Sequence, residues 1–389
     1  MTPPPAATAT APATTATPLE AAAVARTLLE AGFGPFYGVP CSFLGPLISV
    51  LQERHPGVYQ AAGNEGEAVA LAAGAKLAGR QPVVILQNSG LGNAVNPLTS
   101  LCHTLRTPVL MLVTWRGRPG QPDEPQHRLM GRITPDLLAS MEVRSELFPQ
   151  DLAELPAALE RAAEHMRETG LPFAFIVPKG SMAPYTPAPA ASSDEVSAFA
   201  GLALRSEAIA AVVEASDPDT LLIATTGKTA RELERDWDRG GNLYVVGSMG
   251  CASSIGLGVA LNAPERFVTV IDGDGAVLMR MEAMATIGRS AACGFTHVVL
   301  DNESYESTGG QPTQSAGVDF AAIAAACGYR SQVDVADLDE LAEAVRRSQA
   351  VPGPHFLRVR IRPGSDPALG RPALAPSQVA ARFGRAVRA

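Results

Sequence analysis

The sequence predicts an α/β protein built from two doubly wound, parallel-sheet domains, and three observations carry that reading. Short, almost uninterrupted apolar runs, such as Pro82 to Leu86, Pro108 to Val113 and Val268 to Ile271, alternate with helix-compatible stretches. Strands buried on both faces read in this way, and helices covering both faces imply a parallel sheet. Val268 to Thr308 holds a strand, a Gly-rich turn, a helix and a second strand, His297 to Leu300, which together make a βαβ unit. A length of 389 residues suits two domains of ordinary size, and the Pro/Ala/Ser-rich stretch Pro178 to Glu195 is fit to join them.

Met1 to Thr17 is Pro/Ala/Thr low complexity without a basic start or an apolar core, and is expected to be a disordered tail rather than a signal peptide. The first domain is expected over residues 18–180. Leu19 to Glu30 reads as an amphipathic helix, Phe36 to Pro40 as a short strand running into a turn, and Ser42 as the cap of a helix Leu44 to Leu51. Asn64 to Gly74 places Glu65 and Glu67 at the start of a small-residue helix, where an acid complements the helix dipole and needs no further role.

Gln87 to Pro97 follows a strand and is dense in amides and glycines, so Gln87, Asn88 and Asn93 are candidate polar contacts at a strand's carboxyl end. Thr114 to His127 follows the next strand and mixes Arg116, Arg118, Asp123, Glu124 and His127 with prolines. It is either a charged surface loop or an anion-recognition loop, since the planar fork of Arg suits carboxylate and phosphonate oxygens. Leu171 to Val177 is the last strand of this half, and the linker is expected over residues 181–200.

The second domain, residues 201–389, opens with a helix Ser206 to Ala215 and a strand Thr220 to Ala224. The turn Thr225 to Thr229 either touches a diphosphate through Thr226 and backbone N–H groups or simply caps a helix. Gly247 to Ser254 begins a small-residue helix around Met249. One helix is expected from Ala276 to Gly288, and helices Asp319 to Gly328 and Leu338 to Gln349 flank a last strand, His355 to Ile361.

The βαβ unit carries the chemistry. Asp274 and Asn302 emerge at neighbouring strand ends, where ligands of such sheets bind. Mg²⁺ takes oxygen ligands and is usually held by one or two carboxylate or amide groups together with phosphates. Gly273 and Gly275 let the backbone approach a phosphate, and the helix N-terminus at Ala276 favours an anion. The turn therefore reads as a Mg-diphosphate cradle. Position 278 is Leu, which does not fit a dinucleotide fingerprint. Asp272-x-Asp274-Gly after a strand also fits the nucleophile motif of haloacid-dehalogenase-type phosphatases, and a purely structural turn is a third reading.

Composition sets bounds. Hydrophobic residues make up 46% and charged residues 18% of the chain. A net charge of -8 with no Lys/Arg block excludes a non-specific nucleic-acid binder. No apolar stretch reaches bilayer length. The five cysteines are scattered without a C-x-x-C, so no disulfide or zinc framework is expected and a reduced, cytoplasmic chain is.

Gly273-Asp274-Gly275, then 26 residues, then Asn302 resembles the signature of thiamine-diphosphate enzymes. GVPxS, NEGEAVALAAG, QNSGLGNAVNPLTSL, WRGxPGxxDEPQH, SMGCASSIGLG, DGDGAVLM and DNESYESTGGQPT are collinear over about residues 30–330. Together they resemble the thiamine-diphosphate-dependent 2-oxo acid decarboxylases, in their phosphonopyruvate branch first and their sulfopyruvate branch next.

The resemblance implies a pyrimidine-binding first domain and a diphosphate-binding second one. It implies Mg²⁺ on Asp274, Asn302 and the Ser304 carbonyl, and the diphosphate against Thr226, Gly273, Gly275 and Ala276. Met249 would prop the cofactor into a V shape and the Gly247 carbonyl would accept its 4′ N–H. Glu65 would contact N1′ of the aminopyrimidine, while Glu67 has no such role. A buried carboxylic acid at N1′ favours the imino tautomer that removes the C2 proton.

The implied reaction converts 3-phosphonopyruvate to phosphonoacetaldehyde and CO₂ in phosphonate biosynthesis, as in antibiotic production. Arg116, Arg118, His127 and Asn88 are candidates for this anionic 2-oxo acid, with Lys228 behind them and Asp123 and Glu124 orienting the cations. His127 and Glu306 are candidates for the last proton transfer. The histidines that related pyruvate decarboxylases carry near Gln87 to Pro97 are absent, and Cys41 replaces an Asp expected in some members. The resemblance also implies at least a homodimer with sites shared between subunits, and no nucleic-acid or membrane partner. A sulfopyruvate decarboxylase, a phosphatase and a non-catalytic cofactor-binding regulator are the alternatives.

Overall fold

The computed structural model describes residues 17–186, 199–370 and 372–389. All but the last residue of the expected tail, and residues 187–198 of the expected linker, lie outside the described residues. The first sheet is built from β1 (Phe36–Gly38), β2 (Tyr59–Ala61), β3 (Val83–Gln87), β4 (Leu110–Thr114), β5 (Arg144–Leu147) and β6 (Phe173–Val177). Its order is β2-β1-β3-β4-β6-β5, and every pair is parallel.

The second sheet takes β7 (Leu221–Ala224), β8 (Asn242–Tyr244), β9 (Val268–Gly273) and β10 (Phe295–Asp301). A short antiparallel hairpin follows, β11 (Ser304–Tyr305) with β12 (Gln311–Pro312), and then β13 (Ser331–Val335) and β14 (His355–Arg360) complete the sheet. The order is β13-β14-β10-β9-β7-β8, again all parallel. The expected fold class is thus observed in both halves.

Alternate residues of each central strand feed opposite cores. Val83 and Ile85 pack with Leu28, Leu47 and Phe148, while Val84 and Leu86 pack with Val69 and Leu91 on the other face. In β10, Val298 and Leu300 face one core and Phe295 and Val299 the other. Two buried faces leave no room for polar alternation, which is why these strands read as continuous apolar runs. The winding direction reverses between β1 and β3 in one sheet and between β7 and β9 in the other, and crevices open at such switch points.

Several expectations are corrected. Edge strands β2, β5, β8 and β13 were not expected, since sequences such as Arg144–Leu147 are only partly buried and lack an apolar run. Helices Arg128–Ser140, Leu155–Thr169, Lys228–Trp237 and Pro376–Arg388 are additional to those expected. Ser42 caps nothing, because the helix Gly45–Arg54 starts from Leu44 with no side-chain cap. Thr226 is not a cap either: Gly227, at φ +99°, precedes the helix Lys228–Trp237.

The helix expected from Ala276 to Gly288 is broken into Asp274–Met279 and Glu282–Gly288. Residues up to 186 still belong to the first half, where the Ala183 N–H donates to the Leu19 carbonyl and the Tyr185 hydroxyl to Glu53. No helix among the described residues is long and apolar enough to cross a membrane.

Candidate active site

β9 and β10 are neighbours with Gly273 opposite Leu300, so Asp274 and Asn302 leave adjacent strand ends as expected. Both side chains are buried, at 3% and 5% exposure. Asp274 Oδ2 accepts a hydrogen bond from the Thr313 hydroxyl at 2.5 Å. Thr313 meets the Ser315 hydroxyl, Ser315 donates to Asp301, and Arg358 closes the chain by donating to Asp301. Burial first, and then the charge of Asp301, push the Asp274 carboxyl up to about 6 against the hydrogen bonds it receives. Among the described residues no lysine or arginine pairs with it. A buried carboxylate without a counter-charge is costly, and a bound cation would relieve it.

Asn302 donates from Nδ2 to Glu306 at 2.9 Å, which leaves its amide oxygen turned the other way, toward the Ser304 N–H. The chain then turns at Glu303, whose φ is +54°, and the hairpin β11–β12 folds over the strand ends. Asp274, Asn302 and the Ser304 carbonyl are hard oxygen donors, which fit Mg²⁺. Among the described residues no group of three or more His, Cys, Asp or Glu side chains is arranged to hold a metal. Three donors of this kind leave the rest of an octahedral shell to phosphate oxygens and water.

Next to this cradle, a Cβ on Gly275 would lie 2.6 Å from the Tyr305 ring and 3.3 Å from the Met249 methyl. Gly275, Tyr305 and Met249 therefore share one spot, and only glycine fits it. Ser248 at φ +54° and Gly250 at φ +87° make the turn that presents Met249. Gly247, in the same turn, lies beside Gln126 of the first domain. The turn holding Thr226 comes up against the hairpin at Ser307.

On the first domain, Glu65 is the opening residue of the helix Glu65–Leu77, capped by Asn64, and is 6% exposed. Its Oε2 accepts from Asn93 Nδ2 at 2.7 Å, and Asn93 Oδ1 accepts from Arg280 of the second domain at 2.6 Å. A Cβ on Gly90 would sit 2.2 Å from Oε1, so this glycine clears the space for the carboxyl group. Glu67 accepts from the Gly63 N–H and serves the helix start, as expected. Arg280 follows the helix that opens with Asp274, so the Glu65–Asn93–Arg280 chain of hydrogen bonds brings the acid of the first domain up to the cradle of the second.

On the loop after β4, Arg116 grips Asp123 through two hydrogen bonds, at 2.8 and 2.5 Å, and lies over the Phe43 ring. Burial raises Asp123, but Arg116 and the Glu124 and Gly117 N–H groups hold its carboxyl well below the usual range. Asp123 thus orients Arg116, as expected, and Arg118 stacks on Trp115. His127 ends the short turn Pro125–His127 on this loop, one residue beyond Gln126.

Two expectations change here. Asn88 is fully buried and spends its amide on the Arg116 backbone and on Thr134, so it anchors the loop instead of facing a substrate. Glu306 is bonded to Arg205 and the Gly364 N–H and lies 3.5 Å from Lys228. Burial raises it, but Arg205, Lys228 and Gly364 hold it below the ordinary carboxylate range. It is an ionised strut for Asn302 and not a proton donor. Lys228 is engaged by it, and Cys41, buried near Glu65 and Arg116, is pushed up to about 12 by burial and stays a neutral thiol.

Sequence reasoning missed Arg280, Thr313, Tyr305, Gln126 and Arg205. Arg280 had a signal, being a lone charge in the run Val277 to Met281. Thr313 and Arg205 had none, because each reaches the site only through the fold.

The paired crevices, the buried oxygen donors and the acid facing them define a thiamine-diphosphate enzyme. The description "Thiamine pyrophosphate enzyme, N-terminal TPP binding domain" matches residues 20–138, and "Thiamine pyrophosphate enzyme, C-terminal TPP binding domain" matches residues 229–359. The chain is 46% identical to the phosphonopyruvate decarboxylase of Streptomyces viridochromogenes, over 89% of each. It is 42% identical to that of Streptomyces hygroscopicus, over 89% of this chain and 88% of the relative. Identity to the sulfopyruvate decarboxylase of Methanosarcina acetivorans is 31%, over 89% and 92%. The chain belongs to the phosphonopyruvate decarboxylase family and is a carboxy-lyase.

Gly275→Ala should weaken thiamine-diphosphate binding by roughly ten-fold or more, because the new methyl collides with Tyr305. Titration calorimetry reads the loss, and circular dichroism should show the fold intact.

Proposed function

We propose that the chain decarboxylates 3-phosphonopyruvate to phosphonoacetaldehyde with thiamine diphosphate and Mg²⁺, supplying phosphonate biosynthesis. The observation that carries this reading is the hydrogen-bonded link from Glu65 through Asn93 to Arg280, at the end of the helix that opens with Asp274. Asp274, Asn302 and the Ser304 carbonyl hold the metal. Thr226, Gly273, Gly275 and Ala276 line the diphosphate, and Met249 and Gly247 fix the bend of the cofactor. When bound, thiamine diphosphate supplies the carbon nucleophile for a 2-oxo acid and the electron sink for the pair left by CO₂.

Glu65, buried and packed against Gly90, would hydrogen-bond the aminopyrimidine and serve as the acid–base group there. Arg116 is pre-aimed by Asp123 and, with Arg118 and His127, binds the phosphonate. The names of the two more similar relatives favour a phosphonate over a sulfonate. We also propose a homodimer or larger assembly. Sharing of sites between subunits is a separate matter, since the Arg280–Asn93 and Gln314–Ala61 contacts already join the two halves within one chain.

Aldehyde should form from phosphonopyruvate only when cofactor and Mg²⁺ are both present, and more slowly from sulfopyruvate. Activity independent of the cofactor would return the phosphatase reading. Glu65→Gln should lower turnover by roughly 10²-fold, as for other positioned acid–base groups. Mixing Glu65→Gln with Asp274→Ala protein after subunit exchange separates the two site architectures. Recovered activity means that sites are shared between subunits, and none means that each chain completes its own.

A further inference from the structure

We propose that Arg280 is a positioning residue that fixes which oxygen of Glu65 is left to meet the cofactor, acting through Asn93. The inference rests on the reading of Glu65 given above. A guanidinium can only donate hydrogen bonds. Arg280, 2.6 Å from Asn93 Oδ1, therefore obliges that amide to turn its oxygen toward the second domain. The Asn93 NH₂ must then face Glu65, and it donates to Oε2 at 2.7 Å. With Oε2 committed as an acceptor, Oε1 is the oxygen left for a hydrogen bond to the cofactor. Among the described residues no hydrogen bond falls on Oε1, which lies against Gly90 where any side chain would collide with it.

The local backbone is shaped for this reach. The helix that begins at Asp274 ends at Met279, and Arg280 leaves helical geometry at φ -137°, ψ 48°. Its stem crosses the site where a Cβ on Gly250 would stand, 2.6 Å from Arg280 Cγ, so it passes beneath the turn that presents Met249. Glu282, 3.5 Å from Nη1, steadies the other arm of the guanidinium. Without Arg280 the amide is free to flip, and Oε2 would lose the donor that distinguishes it from Oε1. Arg280 thus ties the end of the diphosphate-binding helix to the acid of the other domain.

The test uses the full chain loaded with thiamine diphosphate and Mg²⁺. Arg280→Met keeps the stem over Gly250 and removes the charge. Two quantities are read: the rate at which the cofactor's C2 proton exchanges with D₂O, by acid quench and NMR, and cofactor affinity by calorimetry. Arg280→Met should slow exchange by about ten-fold, the scale of one hydrogen bond to a charged group, with affinity changed by less than about two-fold. Arg280→Lys should restore most of the exchange, and Asn93→Ala combined with Arg280→Met should be no slower than either alone.

Wild-type exchange in Arg280→Met would overturn the proposal. So would additive losses in the double variant, or exchange and affinity falling together without rescue by Lys, which would mark a plain interdomain staple. Glu65→Gln is run alongside. Normal exchange in that variant would remove the Glu65 reading itself, and this inference with it.

Discussion

A carboxylate sealed at the end of β9, with no lysine or arginine among the described residues paired to it, is the constraint on which the rest of the molecule depends. Desolvation penalises the charge of Asp274, and the nearby Asp301 adds to the penalty. The fold answers Asp301 with Arg358 but leaves Asp274 to the Thr313 hydroxyl and the Gly275 N–H. That asymmetry leaves the charge of Asp274 uncompensated while its neighbour is already neutralised. A parallel sheet makes the asymmetry possible, because it brings two strand ends and a helix start to one point.

Two amides in the site have their orientation set by a charge on the far side. Asn302 donates to the carboxylate of Glu306, so its oxygen is turned toward the Ser304 N–H. Asn93 accepts from Arg280, so its NH₂ is left for Glu65. An amide alone can face either way, whereas a carboxylate can only accept and a guanidinium can only donate. The charged residues thus act at one remove, by deciding which end of a neutral group the site receives.

The central strands and the Asp274–Asn302 pair were legible because each depends on local pattern: a doubly buried strand must be apolar throughout, and its Gly-rich end must turn tightly. Glu65 was singled out only through the resemblance, since an acid at a helix start needs no further role by itself. The edge strands were not, since Arg144–Leu147 and Ser331–Val335 are only partly buried and carry no apolar run. Ser42 and Thr226 misled as caps because a Ser or Thr near a helix start suits many turns. Asn88 misled for a related reason: an amide at a strand's carboxyl end can line a cleft or brace the next loop, and only the fold shows that it braces Arg116. Thr313 and Arg205 join Asp274 and Glu306 across 39 and 101 residues, a separation that no local pattern encodes.

The stretch after β14 looks inert by composition, yet the Gly364 N–H binds Glu306 and the Gly364 carbonyl accepts from Arg205. Glu306 in turn sets the amide of Asn302. The polypeptide beyond the last strand is therefore a buttress for Asn302, and cutting or rerouting it would be felt at that side chain before it was felt in the core. For anyone fusing a partner to this protein, the usable end begins only after that buttress has been left whole.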